Sequence, residues 1–84
     1  MSAAEALAHR LRNTPVRAIM KALERDSFVV RRSTSTGGHI YVHRDGRRAV
    51  IHYHHGSDTL TRKVLGSILE GTQWNVKDLE RLDL

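Results

Sequence analysis

Cysteine is absent from the 84 residues, which excludes disulfide scaffolds, thiolate zinc sites and cysteine nucleophiles and leaves nothing to suggest an oxidising compartment. The cytoplasm is the expected location. Also missing are a long apolar run, a signal-like hydrophobic segment and a lipidation motif, so no membrane association is expected. No internal repeat or low-complexity stretch occurs. Acidic residues are in deficit, nine Asp and Glu against fourteen Lys and Arg, for a formal net charge of +5. That surplus favours polyanions, and with a membrane set aside the expected partner is nucleic acid.

The hydrophobic fraction of 39% suits a small folded protein and not a disordered tail. A chain of this length holds one core and not two. The expectation is one domain over residues 1–84, with an N-terminal extension at 1–13, a core at 14–71 and a C-terminal helix at 75–82. Of the six histidines, five fall between His39 and His55.

Ala4, Leu7, Ala8 and Leu11 have helical spacing. Thr14 followed by the lone Pro15 reads as an N-cap and first helical position, because proline lacks only an amide hydrogen that would be unpaired there. Val16, Ile19, Met20 and Leu23 give this helix its apolar stripe, and it should end near Asp26-Ser27. Phe28-Val29-Val30, continued by Arg31-Arg32, reads as a strand. A polar stretch from Ser33 to Gly38 follows, and then two strand-like segments joined through Asp45-Gly46, a hairpin signal. Thr59 or Thr61 can cap a helix carrying Val64, Leu65, Ile68 and Leu69, with Gly71 placed to end it. Asn75 to Asp78 resembles a capping box opening a short last helix, with Val76, Leu79 and Leu82 on its buried side. The order is helix, three antiparallel strands, helix, an α+β arrangement.

A two-residue turn in the hairpin sets Ile40 opposite Ile51 and Val42 opposite Ala49 as the core face, leaving His39, Tyr41 and His43 on the solvent side. A three-residue turn with a bulge at Gly46 would slip this register by one. In either case His39, Tyr41 and His43 share one face of their strand.

The segment Thr36-Gly37-Gly38-His39-Ile40-Tyr41-Val42-His43-Arg44-Asp45-Gly46-Arg47, on a hairpin after an amphipathic helix, resembles the HicA (YcfA-like) toxin family. The shared pattern is Gly, a small or polar residue, His, an aliphatic-aromatic strand, then His-x-Asp-Gly-Arg. The resemblance runs from about Pro15 to Leu69, through Ala22–Phe28 and the later Gly66–Leu69. It implies a fold like the double-stranded-RNA-binding domain, with a three-stranded antiparallel sheet and helices on one face. It also implies metal-independent mRNA cleavage with no cofactor, a HicB-like antitoxin partner covering the His39 face, and His39 as the catalytic residue. Three features depart from the family's usual form: the N-terminal extension is longer, Lys63-Val64 stands where Gly-Thr precedes the last core helix, and the loop before that helix is slightly longer.

RNA carries its own nucleophile, the 2′-hydroxyl. Cleavage therefore requires a base for that proton, an acid for the leaving oxygen and cations for the phosphorane, and histidine serves as base or acid near neutral pH. Gly37 and Gly38 can present backbone amides to a phosphate. Tyr41 can stack on a base, and His43 or His52 can act as a second proton-transfer group. The basic residues Arg31, Arg32, Arg47, Arg48 and Lys63, with Arg44 and Arg62, suit phosphate contacts. Two other functions fit the same residues. One is a non-catalytic double-stranded-RNA-binding module, and the other a hydrolase with zinc on His52, His54, His55 and His39 or His43.

Overall fold

In the computed structural model, which describes residues 3–33 and 38–84, α1 (Ala3–Arg10) and α2 (Val16–Arg25) precede β1 (Val29–Ser33), β2 (Gly38–Val42) and β3 (Arg48–His52). Two more helices follow, α3 (Arg62–Thr72) and α4 (Val76–Arg81). The strands form one antiparallel sheet in the order β1-β2-β3, the expected α+β arrangement of the double-stranded-RNA-binding type. Val16, Ile19, Ala22 and Leu23 of α2 and Leu65, Ile68 and Leu69 of α3 join Tyr41, Ala49 and Ile51 of the sheet in one continuous core. Helix α1 adds Leu7 and Ala8, with Leu11 just beyond it, and lies against α3.

Helix α2 starts one residue later than the Thr14-Pro15 pair suggests. Pro15 is itself the extended N-cap and makes no side-chain capping bond. The loop before α3 satisfies the first turn instead, since Val16 N donates to the Asp58 carbonyl at 2.7 Å and Arg17 N to that of Gly56 at 3.0 Å. These bonds fix the 54–58 loop to the start of α2. Thr61 caps α3, accepting from Val64 N at 3.3 Å. Asn75 and Asp78 form the expected capping box of α4. Val76, at the first position of α4, is 48% exposed and so leaves the expected buried side to Leu79 and Leu82.

Gly71 does not end α3. The helix runs on to Thr72 and closes on Gln73, which takes the left-handed conformation at φ 60°. Gly71 serves close approach: a Cβ there would run into the Arg48 carbonyl oxygen at the start of β3. Both groups are backbone, so neither can step aside. Gly71→Ala should therefore destabilise the fold by about 1–3 kcal/mol, the usual cost of overpacking. Thermal unfolding checks this.

The hairpin takes the three-residue turn. His43 N donates to the Arg47 carbonyl at 2.8 Å, with Gly46 at φ 101° inside the loop. Tyr41 is therefore opposite Ala49, Ile40 opposite Val50 and His39 opposite Ile51. This corrects the core face of β2. Tyr41 is wholly buried, and Ile40 and Val42 lie on the open face with Val50. Tyrosine fills more core volume than either aliphatic neighbour, and β3 offers Ala49 and Ile51 as its partners there.

A carboxylate ties the ends of the chain's elements together. Asp26, at the C-cap of α2, accepts from Trp74 Nε1 at 2.8 Å, Arg81 Nη2 at 3.0 Å and Arg47 Nη1 at 3.2 Å. It joins α2, the hairpin and the segment around α4.

Candidate active site

His39 occupies the second position of β2, paired with Ser33 on β1 and Ile51 on β3. It shares the parity of Tyr41, so it belongs to the helix-covered face and not to the solvent face expected for it. It lies at the end of the sheet, beyond the core, and its side chain is only half-buried. Its ring stacks on Tyr53, with centroids 4.9 Å apart and planes inclined by 22°. Nδ1 is 3.1 Å from Ser33 Oγ. A hydroxyl both donates and accepts, so this contact survives either protonation state of the ring. Ser33 and Tyr53 thus fix the imidazole's direction. Among the described residues, no hydrogen-bond partner holds Nε2.

The other predicted site residues are dispersed. Gly37 lies outside the described residues, and Gly38 is a buried residue of β2 opposite His52. Tyr41 has no exposed surface with which to stack on a base, which removes it from the RNA-binding set. Its hydroxyl has no hydrogen-bond partner among the described residues; burial raises its pKa, and the charges of Glu24 and Tyr53 push the same way. His43 packs edge-on against Phe28 at 5.1 Å, and its Nδ1 accepts from Asp45 N at 3.1 Å. Its position is structural. Arg47 is likewise committed: it donates to Asp45 at 2.7 Å and to the Thr72 carbonyl at 2.6 Å, binds Asp26 and lies over the Phe28 ring.

Arg31, Arg32 and Arg48 are exposed and line the open sheet face. β1 carries a bulge between Val30 and Arg32, so Arg31 is the extra residue. Lys63, in the first turn of α3, borders a depression with Val50 and His52. His52 is exposed on the open face, whereas His54 and His55 are in the loop that Asp58 gathers by accepting from their backbone amides at 3.2 and 2.9 Å. Those bonds, that of His55 foremost, lower the Asp58 pKa. The histidine cluster of the sequence is thus spread over the protein. Among the described residues, no three His, Cys, Asp or Glu groups are placed to hold a metal ion, which withdraws the support for the zinc alternative.

The residues that position His39 were not singled out in the sequence. Ser33 read as the start of a loop, and Tyr53 as one more residue of a strand. Their signal was parity: Ser33 pairs with His39 once the bulge is counted, and Tyr53 continues the inward parity of Ala49 and Ile51.

The model of one protein family, the HicA toxin of bacterial toxin-antitoxin systems, matches residues 16–74. No curated protein matches the chain. The matched span takes in α2, the whole sheet and α3, with Trp74 at its end, and leaves α1 and α4 outside. Among the described residues, no helix is long and apolar enough to cross a membrane.

Proposed function

The chain belongs to the HicA toxin family and is the toxin of a toxin-antitoxin system with a cognate antitoxin partner; from that premise we propose that it is an endoribonuclease that cuts mRNA through His39 without a metal. The observation that supports this reading is the half-buried His39 ring, stacked on Tyr53 and held at Nδ1 by Ser33 at the end of the sheet. Such a ring can take the proton of a 2′-hydroxyl as that oxygen attacks the neighbouring phosphorus. The P–O5′ bond then breaks and the departing oxygen takes a proton from water, giving a 2′,3′-cyclic phosphate and a 5′-hydroxyl. As an alternative, water takes the 2′-hydroxyl proton and protonated His39 gives its own to the departing oxygen.

Arg31, Arg32 and Arg48 line the open face of the sheet, where Arg32 immediately precedes Ser33 in β1, and Lys63 borders a depression with Val50 and His52, so a phosphate backbone that continues from His39 around the end of the sheet would meet positive charge. Each phosphate so held releases counterions, which gives affinity that is independent of sequence and falls with salt. A HicB-like antitoxin covering His39 would block this approach.

The purified protein, incubated with mRNA in excess EDTA, should cut it and leave cyclic-phosphate ends. Cleavage that appears only when zinc is restored would move the assignment to a metal hydrolase. RNA retained but never cut, with or without zinc, would leave a binding module.

A further inference from the structure

The sheet has a second surface, opposite the helices and away from the face that carries His39. Ile40, Val42 and Val50 lie side by side on it, and Val29 and Val50 are 61% and 44% exposed. Arginines border this aliphatic strip. Arg31, Arg32 and Arg48 line a shallow groove with Ile40 and Val42, and a second groove continues past Val29 and Arg44 towards the hairpin turn. Among the described residues, neither groove has an Asp or Glu in its lining.

An aliphatic strip inside a cationic rim selects its occupant. RNA would use the rim but not the strip, because surfaces that bind bases offer rings for stacking, and among the described residues the only ring in either lining is His43, already packed against Phe28. A second copy of the chain would set arginine against arginine. A protein segment carrying both aliphatic and acidic side chains satisfies strip and rim together. We propose that this open sheet face docks such a segment of the cognate antitoxin, so that the toxin is gripped on the surface opposite His39 as well as covered at it. The proposal rests on the toxin reading and its partner, and does not depend on cleavage by His39.

Two measurements test it with the full chain and its purified cognate antitoxin. In titration calorimetry, the double variant Val29→Glu/Val50→Glu should bind on the order of 100-fold more weakly, since it buries like charges against an acidic segment. Arg48→Glu should weaken binding by roughly tenfold. All three sites are exposed in the free protein, and far-ultraviolet circular dichroism verifies that the variants are folded. On the unmutated protein, the methyl resonances of Val29, Val42 and Val50 should shift when antitoxin is added. Unchanged affinity in the folded variants, or unmoved methyls in the complex, would overturn the proposal. So would methyls that respond to a short single-stranded RNA and not to the antitoxin.

Discussion

His39→Ala should lower the rate of RNA cleavage by at least about 10²-fold, the lower end of what a positioned proton-transfer group contributes. Binding of RNA should persist, because the exposed arginines and Lys63, which the proposal assigns to phosphates, are untouched. Stability should change little: the ring is half-buried, and among the described residues it is held by one stacking partner and one hydroxyl. Single-turnover cleavage, filter binding and thermal unfolding read the three quantities separately. This separation matters because a histidine that only propped up the sheet would lose stability and activity together. A variant that keeps its rate would remove His39 from the chemistry.

The second large effect is on stability. Asp26→Ala leaves the Trp74 indole N–H and the Arg81 and Arg47 guanidinium groups without the carboxylate that joins them. The Asp26 side chain is 11% exposed, so water replaces those bonds poorly. The expected cost is about 2–4 kcal/mol, or on the order of 10–20 °C in the thermal midpoint for a domain of this size. The pH dependence has a definite sign. Burial pushes the Asp26 carboxyl up, but hydrogen bonds from Trp74 and Arg81 and the charges of Arg47 and Arg81 outweigh it, so the folded pKa is below 3.8. The contribution is therefore present above the unfolded carboxyl's pKa and is lost as pH falls through the folded one. Asp26→Asn should flatten that acid limb relative to wild type in urea melts taken across the acid range. An unchanged midpoint in Asp26→Ala would show that the three donors find other partners.

The helices were legible from their apolar stripes at 3.6-residue spacing, sharpened by Pro15 to within one residue of the start of α2, by Thr61 before α3 and by the Asn75–Asp78 box at α4. The inward face of β3 was equally legible, since Ala49 and Ile51 alternate with Arg48, Val50 and His52. β2 was not. Its two parities are both apolar, Ile40 and Val42 on one side and Tyr41 on the other, so alternation alone gives no direction. Turn length decided the matter, and Asp45-Gly46 is compatible with two lengths. Once the three-residue turn is fixed, Tyr41 goes inward and His39 moves to the helix side. His39 lies at the end of its strand, where the inward face still reaches solvent.

Other features depended on contacts distant in sequence. Gly71 has the look of a helix terminator, and only the position of the Arg48 carbonyl reveals why a side chain is excluded. Arg47 belongs to a basic run, yet its charge is taken by Asp26 and Asp45. The histidine cluster is close in sequence but diverges in space, because neighbouring strand positions point to opposite faces and the 54–58 loop carries His54 and His55 away from the sheet.

The most direct test of the account is induction of the wild type and His39→Ala side by side, at matched protein levels and without antitoxin, with growth and the integrity of total mRNA followed together. Wild type should halt growth and fragment the messages, while His39→Ala should accumulate as a folded protein in growing cells with intact mRNA. Equal arrest and equal fragmentation by the two would contradict it.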